Sequence, residues 1–318
     1  MGIIRLVLVA FFSMLLMPLL AQEVTNFKNA DDSINLLVNG VKNGKWIYYY
    51  DGEGRRTEDK ENAISYLCAE YKMDTAIGVQ KEYYMNNNVK TILSYNNGKL
   101  NGTLTSYFLH GEVYFEDIYV NGNKEGLSKS YYENGNLSKE VSYKNNLKNG
   151  TQKEYNKEGS LIGIFFYVDG KHAGAYKTYY DSGKLKMEGQ YKNGLLEGAE
   201  KYYYEDGKVK AETNYKNGSA LSINLYYASG NLQSKGVYKN DGRNGIEIGY
   251  YENGNKQSEI PYINGKAEGM AKTYWENGHI RFEIPFSNGK EDETKMGKVY
   301  DENGKFIEES IFKSKSKN

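Results

Sequence analysis

An aromatic ring recurs ahead of a Lys-Asn-Gly type turn at Tyr71, Tyr95, Tyr119, Tyr143, Tyr167, Tyr191, Tyr215, Tyr238, Tyr262, Phe286 and Phe312. Eight of the ten intervals are 24 residues; the others are 23 and 26. A period this constant restricts the chain to a repeat array, in which single units cannot bury an apolar face alone and must stack on their neighbours. A second aromatic series falls in the other half of the unit, at Tyr50, Tyr84, Phe108, Tyr132, Tyr180, Tyr204, Tyr227, Tyr251, Trp275 and, one residue out of step, Tyr300. Its first interval is ten residues too long, and the excess falls on the charged stretch Arg55 to Ile64, which reads as a loop insertion.

Each unit carries two turn signals, such as Asn134-Gly135 and Asn193-Gly194. Asn-Gly favours two-residue hairpin turns because both residues accept positive φ. Two ten-residue strands and two such turns account for the period, so each repeat is expected to be one β-hairpin. The fold class that follows is all-β: an elongated single-layer antiparallel meander of about eleven 24-residue hairpins. Roughly twenty-two strands at about 4.8 Å spacing would extend on the order of 100 Å. Helix is disfavoured, since Gly, Asn and Tyr at this density leave no apolar stripe of helical spacing. With 35 Gly and 32 Tyr but only 3 Pro, the chain is neither collagen-like nor a disordered linker.

Parity within one unit, with Ser182-Gly183 as the turn, pairs Tyr180 with Leu185, Thr178 with Met187, Tyr176 with Gly189 and Gly174 with Tyr191 on one side. Lys177, Tyr179, Lys184, Lys186, Glu188 and Gln190 occupy the other. One face is therefore aromatic and glycine-rich, the other charged. A ring can lie over a glycine, so Tyr215 is expected to cover Gly198, and Tyr191 to cover Gly174.

The stretch Tyr191-Lys192-Asn193-Gly194-Leu195-Leu196-Glu197-Gly198, followed by Tyr203-Tyr204-Glu205-Asp206-Gly207, resembles the MORN-repeat family, specifically its bacterial variant with Tyr-Tyr-Glu-Asn-Gly units. The pattern recurs with Gly98 and Gly102, Gly122 and Gly126, and Gly265 and Gly269 as its turn and packing glycines, as Gly194 and Gly198 are here. Asn146 replaces a turn glycine and Ser222 a second glycine, so looser turns are expected in those units. The resemblance implies elongated single-layer sheets that bind proteins or peptides along one face; some members have been linked to phospholipid membranes or self-association. Similar bacterial members often carry an antitoxin label.

Residues 1–21 have the form of a secretory signal peptide: Arg5, an apolar run from Leu6 to Met17, Pro18, then Ala21 before Gln22. Residues 22–37 read as a linker and 38–318 as the array. The mature chain is expected to be exported, whether periplasmic, outer-surface or secreted, which makes an immunity role in the periplasm the form of antitoxin activity compatible with the leader. Forty-one basic residues balance forty-one acidic ones, leaving none of the positive excess that nucleic-acid binding needs. Cys68 is the only cysteine, so no intramolecular disulfide forms. His110, His172 and His279 are too far apart in a repeat array to converge on a metal or a triad.

No catalytic residue, metal or cofactor is therefore expected. The expected activity is non-enzymatic: a scaffold for a protein or peptide, or for a second copy of itself as a homodimer. Its candidate binding residues are Tyr132, Tyr180, Tyr204, Tyr227, Tyr251 and Trp275, with Tyr143, Tyr191 and Tyr215 as a companion row. The alternative is an envelope glycan or lipid module, since stacked rings suit sugars and lipid head groups.

Overall fold

The computed structural model describes residues 34–239 and 242–312; the leader, and all of the expected linker before residue 34, lie outside the described residues. Those described contain strands and connections and no helix. They divide into two compact units, the first ending at Ser160 and the second beginning at Leu161.

In the first unit, Gly44–Tyr50, Ser65–Lys72, Thr75–Tyr84, Val89–Asn96, Gly102–Tyr107, Val113–Val120, Gly126–Tyr131, Leu137–Lys144 and Leu147–Tyr155 each pair antiparallel with the next in sequence. The second unit continues the same scheme from Leu161–Val168 to Phe306–Ser310. Within each unit the sheet is open, its outermost strands unpaired with each other among the described residues. The inserted segment folds back on the first hairpin, with Arg56–Thr57 pairing with Tyr49 and Tyr50.

The Asn-Gly connection is the expected two-residue turn: φ is 54° at Asn193 and 84° at Gly194. The other connection departs from expectation. Gly174–Tyr191, Tyr176–Gly189 and Thr178–Met187 pair as parity requires, but the register shifts after Thr178, so that Leu185 faces Tyr179 and not Tyr180. Tyr180 N donates to Lys184 O at 2.9 Å and Gly183 N to Tyr180 O at 2.8 Å, closing a five-residue loop. Only Gly183 in that loop has positive φ, so the geometry of a two-residue turn is not met. The same shift recurs after Ser130, Tyr202, Leu225, Gly249 and Thr273. Phe108, Tyr132, Tyr180, Tyr204, Tyr227, Tyr251 and Trp275 of the second aromatic series therefore sit just beyond strand ends, while Tyr50, Tyr84 and Tyr300 are the last residues of their strands.

Neither departure from the glycine pattern loosens its turn. Asn146 adopts φ 67°, its backbone N–H donates to Lys124 O at 3.1 Å, and its side-chain oxygen accepts from Lys124 N at 2.7 Å. Ser222 lies in the uninterrupted strand Ser219–Tyr226, where the register shift moves to Asn214/Tyr215.

The first unit holds the tightest core, formed by Trp46, Tyr48, Leu67, Ala69, Tyr71, Ala76, Leu93, Leu100 and Leu104. Its buried row continues through Asp117, Ser128, Val141 and Gln152. Asp117 is tolerated there because Ser128 Oγ donates to it at 2.6 Å and Lys124 Nζ stands 2.7 Å away.

The expected covering of glycine by a ring occurs at a different place. A Cβ on Gly189 would come within 2.8 Å of Tyr176 Cε1, so Tyr176 rests on the glycine it pairs with. A Cβ on Gly198 would meet nothing within 4 Å even though Gly198 pairs with Tyr215, and one on Gly174 would meet Phe166 at 3.7 Å. What requires glycine at 198 is its φ of 79°, at the point where the strand breaks after Leu195–Leu196. Gly198→Val is thus expected to cost ~1–2 kcal/mol through left-handed backbone strain, whereas Gly198→Asn stays near wild type. Thermal denaturation of the two variants checks this; equal losses would contradict the backbone account.

Candidate functional site

The rings marked out by sequence are structural first. Tyr132, Tyr180, Tyr204, Tyr227 and Tyr251 donate their hydroxyls to the backbone carbonyls of Tyr155, Tyr203, Tyr226, Tyr250 and Tyr274, at 2.8, 2.6, 2.8, 2.7 and 2.8 Å. Trp275 Nε1 makes the equivalent contact to Tyr300 O at 3.3 Å. Each ring thereby ties its loop to the following repeat. Several also carry a cation on the ring: Lys186 at 5.6 Å from Tyr180, Lys210 at 5.5 Å from Tyr204, and Arg281 at 4.3 Å from Trp275.

The companion row is engaged as well. Lys124 Nζ lies 4.1 Å from the centroid of Tyr143. Tyr191 stacks on His172 at 4.7 Å and tilts against Tyr176 at 5.0 Å. Tyr215 donates to Glu200 Oε2 at 3.4 Å, and the other oxygen of the same carboxylate accepts from Tyr176. The structure thus gathers Tyr176, Tyr191 and Tyr215 around Glu200 and leaves the members of the second series apart, one per repeat. The turn glycines Gly98, Gly122, Gly194 and Gly265, and the strand-break glycines Gly102, Gly126, Gly198 and Gly269, all have positive φ.

What the rings leave accessible is a strip on the Tyr/Gly face of the second unit. Thr178, Met187, Tyr202, Ala211 and Leu225 pair in succession across neighbouring strands. Tyr202 is 40% exposed and Leu225 39%. At one end of the strip a cavity of about 390 Å³ is lined by Thr178, Met187 and Tyr202, with Tyr180 and Lys186 at its wall. Parity places Met187 and Tyr202 on this face, but neither was singled out as a binding residue because they lie between the periodic aromatics, where the unit varies.

A second missed set lies on the charged face. Tyr131, Tyr155, Tyr203 and Tyr274 donate to Glu116, Glu140, Glu188 and Glu259, each fifteen residues earlier, at 2.9, 3.2, 2.7 and 2.6 Å. A readable signal existed, since those glutamates follow the same repeat.

One serine–lysine contact has the composition of a nucleophile pair. Lys90 Nζ is 3.1 Å from Ser65 Oγ, but Glu82 Oε1 accepts from both, at 2.7 Å each. The carboxylate engages both the ammonium and the hydroxyl, and Ser65 is fully buried. The group can brace the first unit and is not arranged to attack a substrate. Among the described residues no group of three or more His, Cys, Asp or Glu is placed to hold a metal ion.

Burial, and then the hydrogen bond to Glu116 or Glu188, pushes Tyr131 and Tyr203 up to about 12. Burial and Asp117 do the same for Tyr119, again to about 12. A phenol that holds its proton longer in the folded state than its ordinary value of about 10 stabilises the fold fully below pH ~10 and loses that contribution as pH rises through the folded value. The contribution of these three phenols is therefore expected to be level up to pH ~10 and to fall between ~10 and ~12, as read from urea midpoints over that range, with phenolate absorbance rising later than for free tyrosine. Separately, Tyr204→Phe removes only the hydroxyl that reaches Tyr226 O and is expected to cost ~0.5–1.5 kcal/mol. Phe in place of Tyr202, whose ring is exposed, should leave the urea midpoint unchanged.

An open antiparallel sheet of hairpins at constant period, with its rings spent on joining neighbours, defines a β-repeat protein of the scaffold type. The chain belongs to the MORN repeat variant family, whose model matches residues 77–97, 124–145, 174–193, 196–217, 225–240, 243–264 and 267–288. No curated protein sequence matches it. Among solved structures it is similar to the TcdB2-TccC3-Cdc42 complex at 12% identity and a TM-score of 0.14, covering 77% of this chain and 18% of that one. TcdB2-TccC3 matches at 12% identity and a TM-score of 0.13, covering 79% and 20%. The chain spans about a fifth of those relatives, and at this level the likeness carries no argument about fold or function.

Proposed function

We propose that the chain is a non-enzymatic, exported scaffold that holds a protein or peptide along the Tyr/Gly face of its second unit. The observation that carries this reading is the strip from Met187 through Tyr202 and Ala211 to Leu225, apolar, half-buried at Met187 and Ala211 and exposed at Tyr202 and Leu225, where the surrounding rings are tied into the fold. A cavity of about 390 Å³ is at the small end of the range for ligand pockets and suits one inserted side chain better than a large cofactor. The form of residues 1–21 supports export. An immunity role, in which the bound protein is a toxin met outside the cytoplasm, is the finer version of the proposal. A second copy of the chain is the other occupant to be tested.

A photo-crosslinking residue at position 202 is expected to give a discrete adduct in producing cells, and Met187→Asp in the same chain is expected to abolish it. An adduct of twice the chain mass identifies self-association. Crosslinking at Lys177, on the charged face, serves as the control. Equal adducts from both positions, or none from position 202 in a folded chain, would remove the basis for this reading.

A further inference from the structure

The first repeat contains a three-walled aromatic box. Trp46 and Tyr48 lie two residues apart on Gly44–Tyr50, with rings 22° from parallel and centroids 6.0 Å apart. Tyr71, on the neighbouring strand, stands across both at 79° and 87°, with centroids 6.4 Å from each. The three residues are 3%, 4% and 7% exposed, so packing fixes the walls. Gly44, paired with Tyr71, adds no side chain of its own.

Lys42 enters this box from a strand whose backbone is pinned: its N–H donates to Asp74 Oδ1 at 2.8 Å and its carbonyl accepts from Asp74 N at 3.0 Å. Its Nζ stands 5.3, 5.5 and 5.1 Å from the centroids of Trp46, Tyr48 and Tyr71. Those distances are ordinary for an ammonium over a ring, as for Lys186 and Lys210. They are also distances at which a quaternary nitrogen can direct a methyl group at each wall, since a methyl carbon rests about 3.5–4.0 Å from ring carbons and an N–C bond adds about 1.5 Å.

We propose that the box is a binding site for a quaternary ammonium group, kept closed by the chain's own Lys42. The ligand takes the place of the lysine head, which swings out on its flexible four-carbon stem. One cation replaces another, so repulsion by Arg56, 4.0 Å from the centroid of Tyr48, and attraction by Asp74 act on both. The difference lies in contact of the methyl groups with three ring faces, and in the weaker hydration that a quaternary ammonium gives up. The site belongs to the first unit and does not depend on the peptide-binding strip of the second.

Calorimetric titration of the full chain with tetramethylammonium and with phosphocholine tests this, with ammonium chloride as control. Wild type is expected to bind both probes weakly and Lys42→Ala about tenfold or more tightly, the effect of removing one desolvated cation competitor. Adding Trp46→Leu to Lys42→Ala abolishes binding. If Lys42→Ala fails to fold, Lys42→Met keeps the stem, removes the charge and carries the same expectation. Co-sedimentation of the lysine variant with phosphatidylcholine vesicles, alongside phosphocholine binding, assigns the ligand to a lipid head group; binding in solution alone assigns it to a small soluble cation. Absence of saturable binding by a folded lysine variant would overturn the proposal, as would binding that survives Trp46→Leu, or vesicle binding without phosphocholine binding.

Discussion

The structure depends on how each hairpin satisfies the backbone of the next. A two-stranded hairpin is marginal by itself in water, so a chain of them must be joined at both margins. At the Asn-Gly margin the turn N–H reaches back to a carbonyl 22 residues earlier: Gly98 to Ala76 at 2.9 Å, Gly194 to His172 at 2.9 Å, Gly265 to Arg243 at 2.8 Å. At the opposite margin a tyrosine hydroxyl reaches forward to a carbonyl of the following repeat, as Tyr132 does to Tyr155 and Tyr251 to Tyr274. An inserted residue within a strand would miss both carbonyls and also turn the side chains to the wrong face. The constant period and the constant bonding are one constraint, and the long insertion is accommodated only because it leaves from a loop.

This joining explains why a chain with so many tyrosines offers few free rings. A phenol is used here at both ends: its body covers half-buried sheet and its hydroxyl closes a carbonyl. Phe108 fills the position without the hydroxyl, so the ring alone suffices for packing. Tyrosines on the charged face are engaged in the same way, by glutamates such as Glu116 and Glu188. What remains for a partner lies in the rows between, where side chains vary from repeat to repeat. In the first unit the row from Ala69 to Gln152 is buried; in the second, a different row, through Met187, Tyr202, Ala211 and Leu225, is open at Tyr202 and Leu225.

The all-β class, the hairpin repeat, the Asn-Gly turn and most of the pairing around Tyr176 and Gly189 were legible in the sequence. Each follows from local chemistry repeated at fixed spacing: positive φ at Asn193-Gly194, side-chain alternation, and the need to keep one face constant. The five-residue loop at Tyr180 to Lys184 was misread because Ser182-Gly183 resembles a two-residue turn, while only Gly183 takes the required conformation. Gly198 lies at a left-handed backbone position, φ 79°, and not under the ring that was expected to cover it, since no ring approaches it.

Sequence alone determined the repeat and its period, because both are set by residues within one unit and its immediate neighbours. Tertiary structure decided which aromatics remain available. Whether Tyr204 is a binding ring or a tie depends on a carbonyl 22 residues away, and whether Lys42 is a surface charge or the occupant of an aromatic box depends on three rings on two neighbouring strands. Neither distance is encoded in a motif; both arise only when twisted, bulged strands bring those atoms to their final positions.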